Sequence, residues 1–268
     1  MKNKGKLTVH SIVCNEPYVY YAIKSVYPYV DKILLYDTGS YDRYTLSDIE
    51  TLLKEDLEHK IVFKQVSIDV LEADVDYEKI EEEFKRFKGK KGKGSARQLQ
   101  IDDTDTDFFM VVDGDEIYYR SAMEKIRDIV IPTFPSNMIC GFAPLIWYSD
   151  ITERVFHRPW HMGRIFRTNA ISILNHPPDE MHVNKYTGEL IKSCDNTSFK
   201  MDIKPFIHYS DYVKPWRRSL RDFKMKMTSY HDLPEVMLEN TLYWKRFIME
   251  KDFKELRRGI IHGNPRVG

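Results

Sequence analysis

Residues 108–118 read FFMVVDGDEIY. From Phe108 to Val112 every side chain is apolar, with no polar alternation. A strand of that kind is buried on both faces, so its sheet must be covered on each side. The run then meets three carboxylates, Asp113, Asp115 and Glu116. Like charges at the end of a buried strand repel one another and lose hydration unless a cation offsets them. Gly114 lets the backbone turn sharply there and approach a ligand closely. An acidic loop capping a helix that starts near Ser121 would explain the same residues. Their position after a buried strand favours instead a hard divalent cation held by carboxylate oxygens.

Three further runs rich in β-branched and aromatic residues precede this one: LTVHSIVC (7–14), KILLYD (32–37) and IVFKQV (61–66). Segments 18–27, 44–55, 76–88 and 95–103 between them have helical spacing. Strands alternating with helices predict an α/β fold with a Rossmann-like, mostly parallel or mixed sheet flanked by helices. Ligands collect at the carboxyl ends of such strands, and the polar CNE, DTGS and DGDE segments lie there. In the second half, strands are expected at 138–148, 162–168, 170–174 and 206–209, joined by longer polar loops. Helices at about 216–230 and 235–257 would form a C-terminal helical extension. The GKKGKG stretch (89–94) reads as a mobile loop. The expected divisions are a catalytic domain over 1–213, with a first half 1–118 and a second half 119–213, and the extension over 214–268.

The 268 residues carry 41 Lys and Arg against 41 Asp and Glu. A formal net charge of zero gives no global field toward nucleic acid or membrane. Cys14, Cys140 and Cys194 are far apart and lack metal-ligand spacing, which suggests reduced thiols in the cytoplasm. The N-terminal MKNKGK has no apolar stretch behind it of the kind a secretory signal needs. No run approaches the roughly 18 apolar residues that span a bilayer. The expected location is therefore cytoplasmic, with a peripheral membrane contact as the alternative.

The segments TVHSIVCNEPYVYYAIKSVYPYVDKILLYDTGSYD and SARQLQIDDTDTDFFMVVDGDE together resemble the nucleotide-sugar half of a family-2-like glycosyltransferase of GT-A fold. The resemblance covers residues 7–118. It rests on Asn15-Glu16 after the first strand, the DTGSYD turn, Arg97 upstream of the acidic strand, and the Asp-x-Asp itself. It implies that Glu16 and Asp37 contact the base and ribose of the nucleotide and that Arg97 steadies the diphosphate. Asp113 would reach the ribose or metal, and Asp115 would bind Mn²⁺ or Mg²⁺. The donor would be a nucleotide-diphosphate sugar, with a UDP-sugar as one option, and the usual stereochemical outcome is inversion.

The resemblance also implies a late histidine, His208 in FIHY, as a further metal ligand. A lone histidine is otherwise a structural group. In ILNHPPDEMHV (173–183), Glu180 or Asp179 would take the acceptor proton. Here the sequence departs from the usual His-Glu pair, because Val183 follows His182. The alternative is a proline-stiffened loop with solvent-facing acids. Trp160, His161, Arg164 and Arg167 would meet sugar or phosphate, or lie on a core strand. Asp37 has a further alternative as a turn former and Arg97 as a surface helix residue. The basic KPWRRSLRDFKMKM segment (214–227) suggests an amphipathic helix. The acceptor would be a saccharide, with a modified nucleic-acid base or a protein as alternatives. Nucleotidyl or other phosphoryl transfer is a second enzyme class, and a non-catalytic sugar-nucleotide-binding relative a third. No P-loop or dinucleotide fingerprint supports the second.

Overall fold

The structure is a computed structural model that describes residues 5–16, 18–41, 43–67, 92–148, 155–176, 179–192, 195–203, 206–208 and 227–229. The expected helices at 76–88 and 235–257 lie outside these residues. So does most of the helix expected at 216–230.

The first half alternates as expected. Strand β1 (Leu7–Val13) leads to helix α1 (Val19–Val26), β2 (Lys32–Asp37), α2 (Arg43–Lys54) and β3 (Ile61–Gln65). Helix α3 (Lys93–Asp102) then precedes β4 (Phe108–Val111), and β5 (Glu116–Tyr118) and α4 (Arg120–Lys125) follow. The second half supplies β6 (Cys140–Tyr148), β7 (Val155–Arg167), β8 (Ile171–His176), β9 (Asp179–Asn184), β10 (Ser198–Lys200), β11 (Phe206–His208) and β12 (Met227–Ser229).

Among the described residues these strands form a mixed ten-stranded sheet, ordered β3-β2-β1-β4-β7-β6-β11-β5. In addition β10 pairs with β6 and β12 with β7, while β8 and β9 form a separate hairpin. Strands β3, β2, β1 and β4 run parallel, and β7 enters antiparallel beside β4. The fold is therefore a mixed α/β sheet flanked by helices.

Period-2 alternation explains why β4 is apolar throughout. Phe108 and Met110, with Val112 beyond the strand, enter a core shared with α1, α2 and Met123 of α4. Phe109 and Val111 enter a second core on the opposite face, with Ile101 of α3 and Ile171 and Ile173 of β8. Each face of the strand feeds its own core.

Two expectations need correction. Residues 227–229 were expected in a helix but pair as a strand with β7. The loop expected over 89–94 gives way to helix at Lys93; residues 89–91 lie outside the described residues. The strand expected at 170–174 forms as part of β8, and the alternative reading of 173–183 as a loop gives way to the β8–β9 hairpin. Among the described residues no helix is long and apolar enough to cross a membrane.

Candidate functional site

From β1 the chain proceeds outward to β2 and β3, whereas β4 lies on the other side of β1. The connections thus diverge at the β1/β4 boundary, the place where open α/β sheets form a crevice. Glu16 follows β1 and Asp113 follows β4 at the same carboxyl ends. The two loops touch. A Cβ added at Gly114 would stand 2.9 Å from Glu16 Cβ, Glu16 Cγ and Val13 Cγ1 alike. Only glycine lets the acidic loop lie against Glu16 without displacing either. Asp115 and Glu116 are buried beside it.

Asp113 is surrounded by cations. Lys93 Nζ donates to Asp113 Oδ1 at 2.9 Å. Arg97 Nη2 stands 3.7 Å from the same oxygen, and Arg164 Nη1 stands 3.9 Å from Oδ2. Burial opposes ionisation of Asp113, but Lys93, Arg164 and Arg97 outweigh it and hold the carboxyl well below its usual range. Glu116 accepts from the Asp113 backbone N–H at 3.1 Å and pairs directly with buried Arg164.

Arg97 is fully buried and joins three elements. Its Nε donates to Glu180 Oε1 at 3.0 Å, and its Nη1 donates to the His10 carbonyl at 2.9 Å and to Gln100 Oε1 at 2.8 Å. Burial pushes the Glu180 carboxyl up, yet Arg97, Lys93 and His182 together bring it below its ordinary value. Glu180 Oε2 is buried and takes no hydrogen bond.

Glu180 and His182 alternate along β9, so they share a face. His182 Nε2 lies 3.8 Å from Glu180 Oε1. Burial lowers the His182 pKa to about 4 against the opposing effect of Glu180, leaving a neutral ring. That ring ends a column of stacked rings crossing the sheet. His10 stacks on Phe109 at 4.3 Å, Phe109 on Phe166 at 5.0 Å, and Phe166 on His182 at 4.4 Å. The column anchors the hairpin that carries Glu180. At its far end the Thr104 hydroxyl donates to the Gln100 carbonyl. His10 Nε2, 2.6 Å from that hydroxyl oxygen, must therefore be the donor, which assigns the His10 tautomer.

Asp37 closes the turn after β2, as its bland alternative proposed. Its Oδ1 accepts from the N–H groups of Gly39 (3.3 Å) and Ser40 (2.9 Å). Its Oδ2 is buried without a hydrogen bond. Asn15, at φ 55°, ties the first loop to this turn: its N–H donates to Ser40 Oγ, and its Oδ1 accepts from the Tyr41 N–H, both at 2.9 Å.

Of the residues singled out in the sequence, the fold gathers Glu16, Arg97, Asp113, Asp115 and Glu180. The backbone of His208 lies in β11, in register with Glu116 of β5, and that of Asp179 lies in β9 opposite His176. The side chains of both, and of Trp160, lie outside what is described. Among the described residues no group of three or more His, Cys, Asp or Glu is arranged to hold a metal. Arg167 is structural: it donates to the carbonyls of Met138, Phe134 and Pro135 and stacks over Phe108 and Phe134. Cys140 is a buried free thiol.

The sequence reading assigned no role to Lys93 or Glu116 and left Arg164 undecided. Lys93 stands four residues before Arg97, the spacing that puts both on one helical face. Arg164 is a charge inside the apolar MGRIF run, which calls for a buried acid as partner.

No family model and no curated protein matches this chain. Among solved structures, one described only as a mycobacterial protein aligns at 17% identity with a TM-score of 0.35. The alignment covers 55% of this chain and 42% of that one, and a likeness at that level carries no argument.

Proposed function

We propose that the protein is a divalent-cation-dependent glycosyltransferase of GT-A type, moving a sugar from a nucleoside-diphosphate sugar to an acceptor hydroxyl. The observation that carries this reading is the continuous contact from Asp113 through Arg97 to Glu180 beside the β1/β4 crevice. It joins an acid suited to the donor's metal with an acid suited to the acceptor's proton.

The acidic turn after β4 supplies the carboxylate oxygens that a hard cation prefers, Asp113 and Asp115 flanking Gly114. Mn²⁺ or Mg²⁺ would be held by Asp113 and Asp115, with His208 as the further ligand that the family resemblance implies. When bound, it would neutralise charge on the departing diphosphate. Asp37 and Glu16, after β2 and β1, would contact the ribose and base of the nucleotide, as the family resemblance implies.

Glu180 is held ionised by Arg97, so its free Oε2 can accept the acceptor's proton. The cost is weaker basicity, tolerable if the hydroxyl gives up its proton only as the sugar–phosphate bond breaks. The acceptor oxygen then joins the anomeric carbon and the nucleoside diphosphate leaves. Asp179 is the alternative base, and a saccharide is the acceptor class this reading favours.

A thermal-shift screen of nucleoside diphosphates and their sugars, with and without Mn²⁺, tests the reading, because a ligand that binds only the native state raises the melting temperature. Mn²⁺-dependent stabilisation is expected for one nucleotide class, and no shift with any of them would refute it. Product analysis separates the alternative chemistry: glycosyl transfer releases a nucleoside diphosphate, nucleotidyl transfer releases pyrophosphate.

A further inference from the structure

Gln100 lies one turn beyond Arg97 on α3 and is fully buried. Its side-chain amide reaches three partners. Nε2 donates to the carbonyls of Ser11 in β1, at 2.9 Å, and of Leu34 in β2, at 2.7 Å. Both partners only accept, so the amino end must face them and the amide has one orientation. Oε1 is thereby left toward Arg97, whose Nη1 donates to it at 2.8 Å. The other Nη1 proton goes to the His10 carbonyl at 2.9 Å, and the Nε proton to Glu180 at 3.0 Å. Among the described residues Nη2 makes no hydrogen bond and stands 3.7 Å from Asp113 Oδ1. Two neutral groups therefore hold Nη1, while the two acids lie at Nε and Nη2.

We propose that Gln100 is a positioning residue. Anchored on two strands of the sheet, it fixes the plane of the Arg97 guanidinium and, through it, the separation of Glu180 from Asp113. Without the amide, the His10 carbonyl alone would hold Nη1, and the guanidinium would be free to tilt toward either acid. The planar fork of an arginine transmits such a constraint because its donors keep fixed directions relative to one another. A tilt would displace Glu180, the group that takes the acceptor's proton in the proposed reaction. That consequence rests on the proposed reaction, whereas the fixing of Arg97 does not.

Nuclear magnetic resonance of the full chain, labelled with ¹⁵N-arginine, provides the test. Rotation about the Arg97 Nε–Cζ bond exchanges Nη1 with Nη2 and must break both Nη1 bonds, so its rate reads how firmly the plane is held. Arg97→Lys assigns the signals by their loss. Wild type should give two separate Nη signals. Gln100→Met should speed the exchange about tenfold to a hundredfold, the factor for losing one hydrogen bond to a charged group, and drive the signals together. An osmolyte restores folding if that variant is marginal. Gln100→Glu, which retains an oxygen for Nη1, should keep the signals apart. Gln98→Met controls for a merely structural loss. Gln98 accepts from the Ile173 N–H and donates to Asp102 Oδ1, both at 2.9 Å, and neither bond involves Arg97. Its loss should lower stability yet leave the exchange as in wild type. One averaged signal in wild type refutes the proposal whether or not Gln100→Met folds. Unchanged exchange in Gln100→Met, or equal acceleration in Gln98→Met, refutes it too. A nucleotide screen without hits would overturn the proposed reaction and leave these signals as they are, so the two fail separately.

Discussion

Arg97 Nε donates to Glu180 Oε1 at 3.0 Å although 83 residues separate the two, and the same guanidinium stands 3.7 Å from Asp113. One buried side chain thereby sets the distance between two acids that arrive on different strands. Removing it would leave Glu180 and Asp113 buried with less compensation. Arg97→Met is expected to lower stability by about 3–5 kcal/mol, the scale for breaking a buried ion pair. Arg97→Lys should recover only part of the loss, because an ammonium cannot reproduce the fork that serves Glu180, His10 and Gln100 together. Urea denaturation of both variants checks this, and a loss below about 1 kcal/mol for Arg97→Met would show that the bracket is not structural.

Gly114→Ala tests the approach of the two loops. The new methyl would stand 2.9 Å from the stem of Glu16 and from Val13 in the core, so one loop must move. A cost of about 1–3 kcal/mol is expected, typical of overpacking, together with weaker Mn²⁺-dependent nucleotide binding. A variant with wild-type stability and affinity would mean that the contact between Glu16 and the acidic loop is incidental.

Much of this arrangement was legible in the sequence because local pattern and tertiary role agree. The FFMVV run is apolar for two cores, and the polar residues after β1, β2 and β4 mark the ends of parallel strands. The first strand of the hairpin at 171–184 was legible in AISIL, whereas the second was hidden because the NHPPDE stretch looks like a loop, although Glu180 and His182 already alternate as a strand does. Lys93 was hidden by its glycine-rich neighbours, since composition there says nothing of a partner at Asp113. The network through Arg97 depends on contacts between residues remote in sequence, and spacing cannot reveal it.

Acid should weaken the protein in two stages. The folded pKa of His182 is about 4, against an ordinary 6.5, and buried His10 is likewise lowered. Between those values the unfolded chain binds more protons, so stability falls as pH drops from 6.5 toward 4. Asp113 and Glu180 are depressed in the fold. Their contribution is complete above their unfolded values and is lost at lower pH, as the native carboxylates become protonated. His182→Gln should flatten the upper stage, by about 3 kcal/mol across the window, and leave the lower one in place. Denaturant midpoints measured from pH 7 to pH 3 give both slopes, and an unchanged upper slope in the variant would assign that stage to other groups.

Glu180→Gln separates binding from transfer. The amide oxygen can still accept from Arg97 Nε, so the bracket to α3 persists at the cost of a charge-assisted bond, about 1–2 kcal/mol of stability. The amide has no lone pair basic enough to take a proton from an attacking hydroxyl. Nucleotide affinity should therefore stay close to wild type while turnover falls by a factor on the order of 10²–10⁴, the range for loss of a general base. Thermal shift with nucleotide and a transfer assay on one preparation read the two effects separately. If turnover holds while nucleotide still binds, the proton goes elsewhere, and Asp179, the first residue of the same strand, becomes the base to test. If binding and turnover fall together, Glu180 belongs to the donor site, and its pairing with Arg97 would serve to shape that pocket.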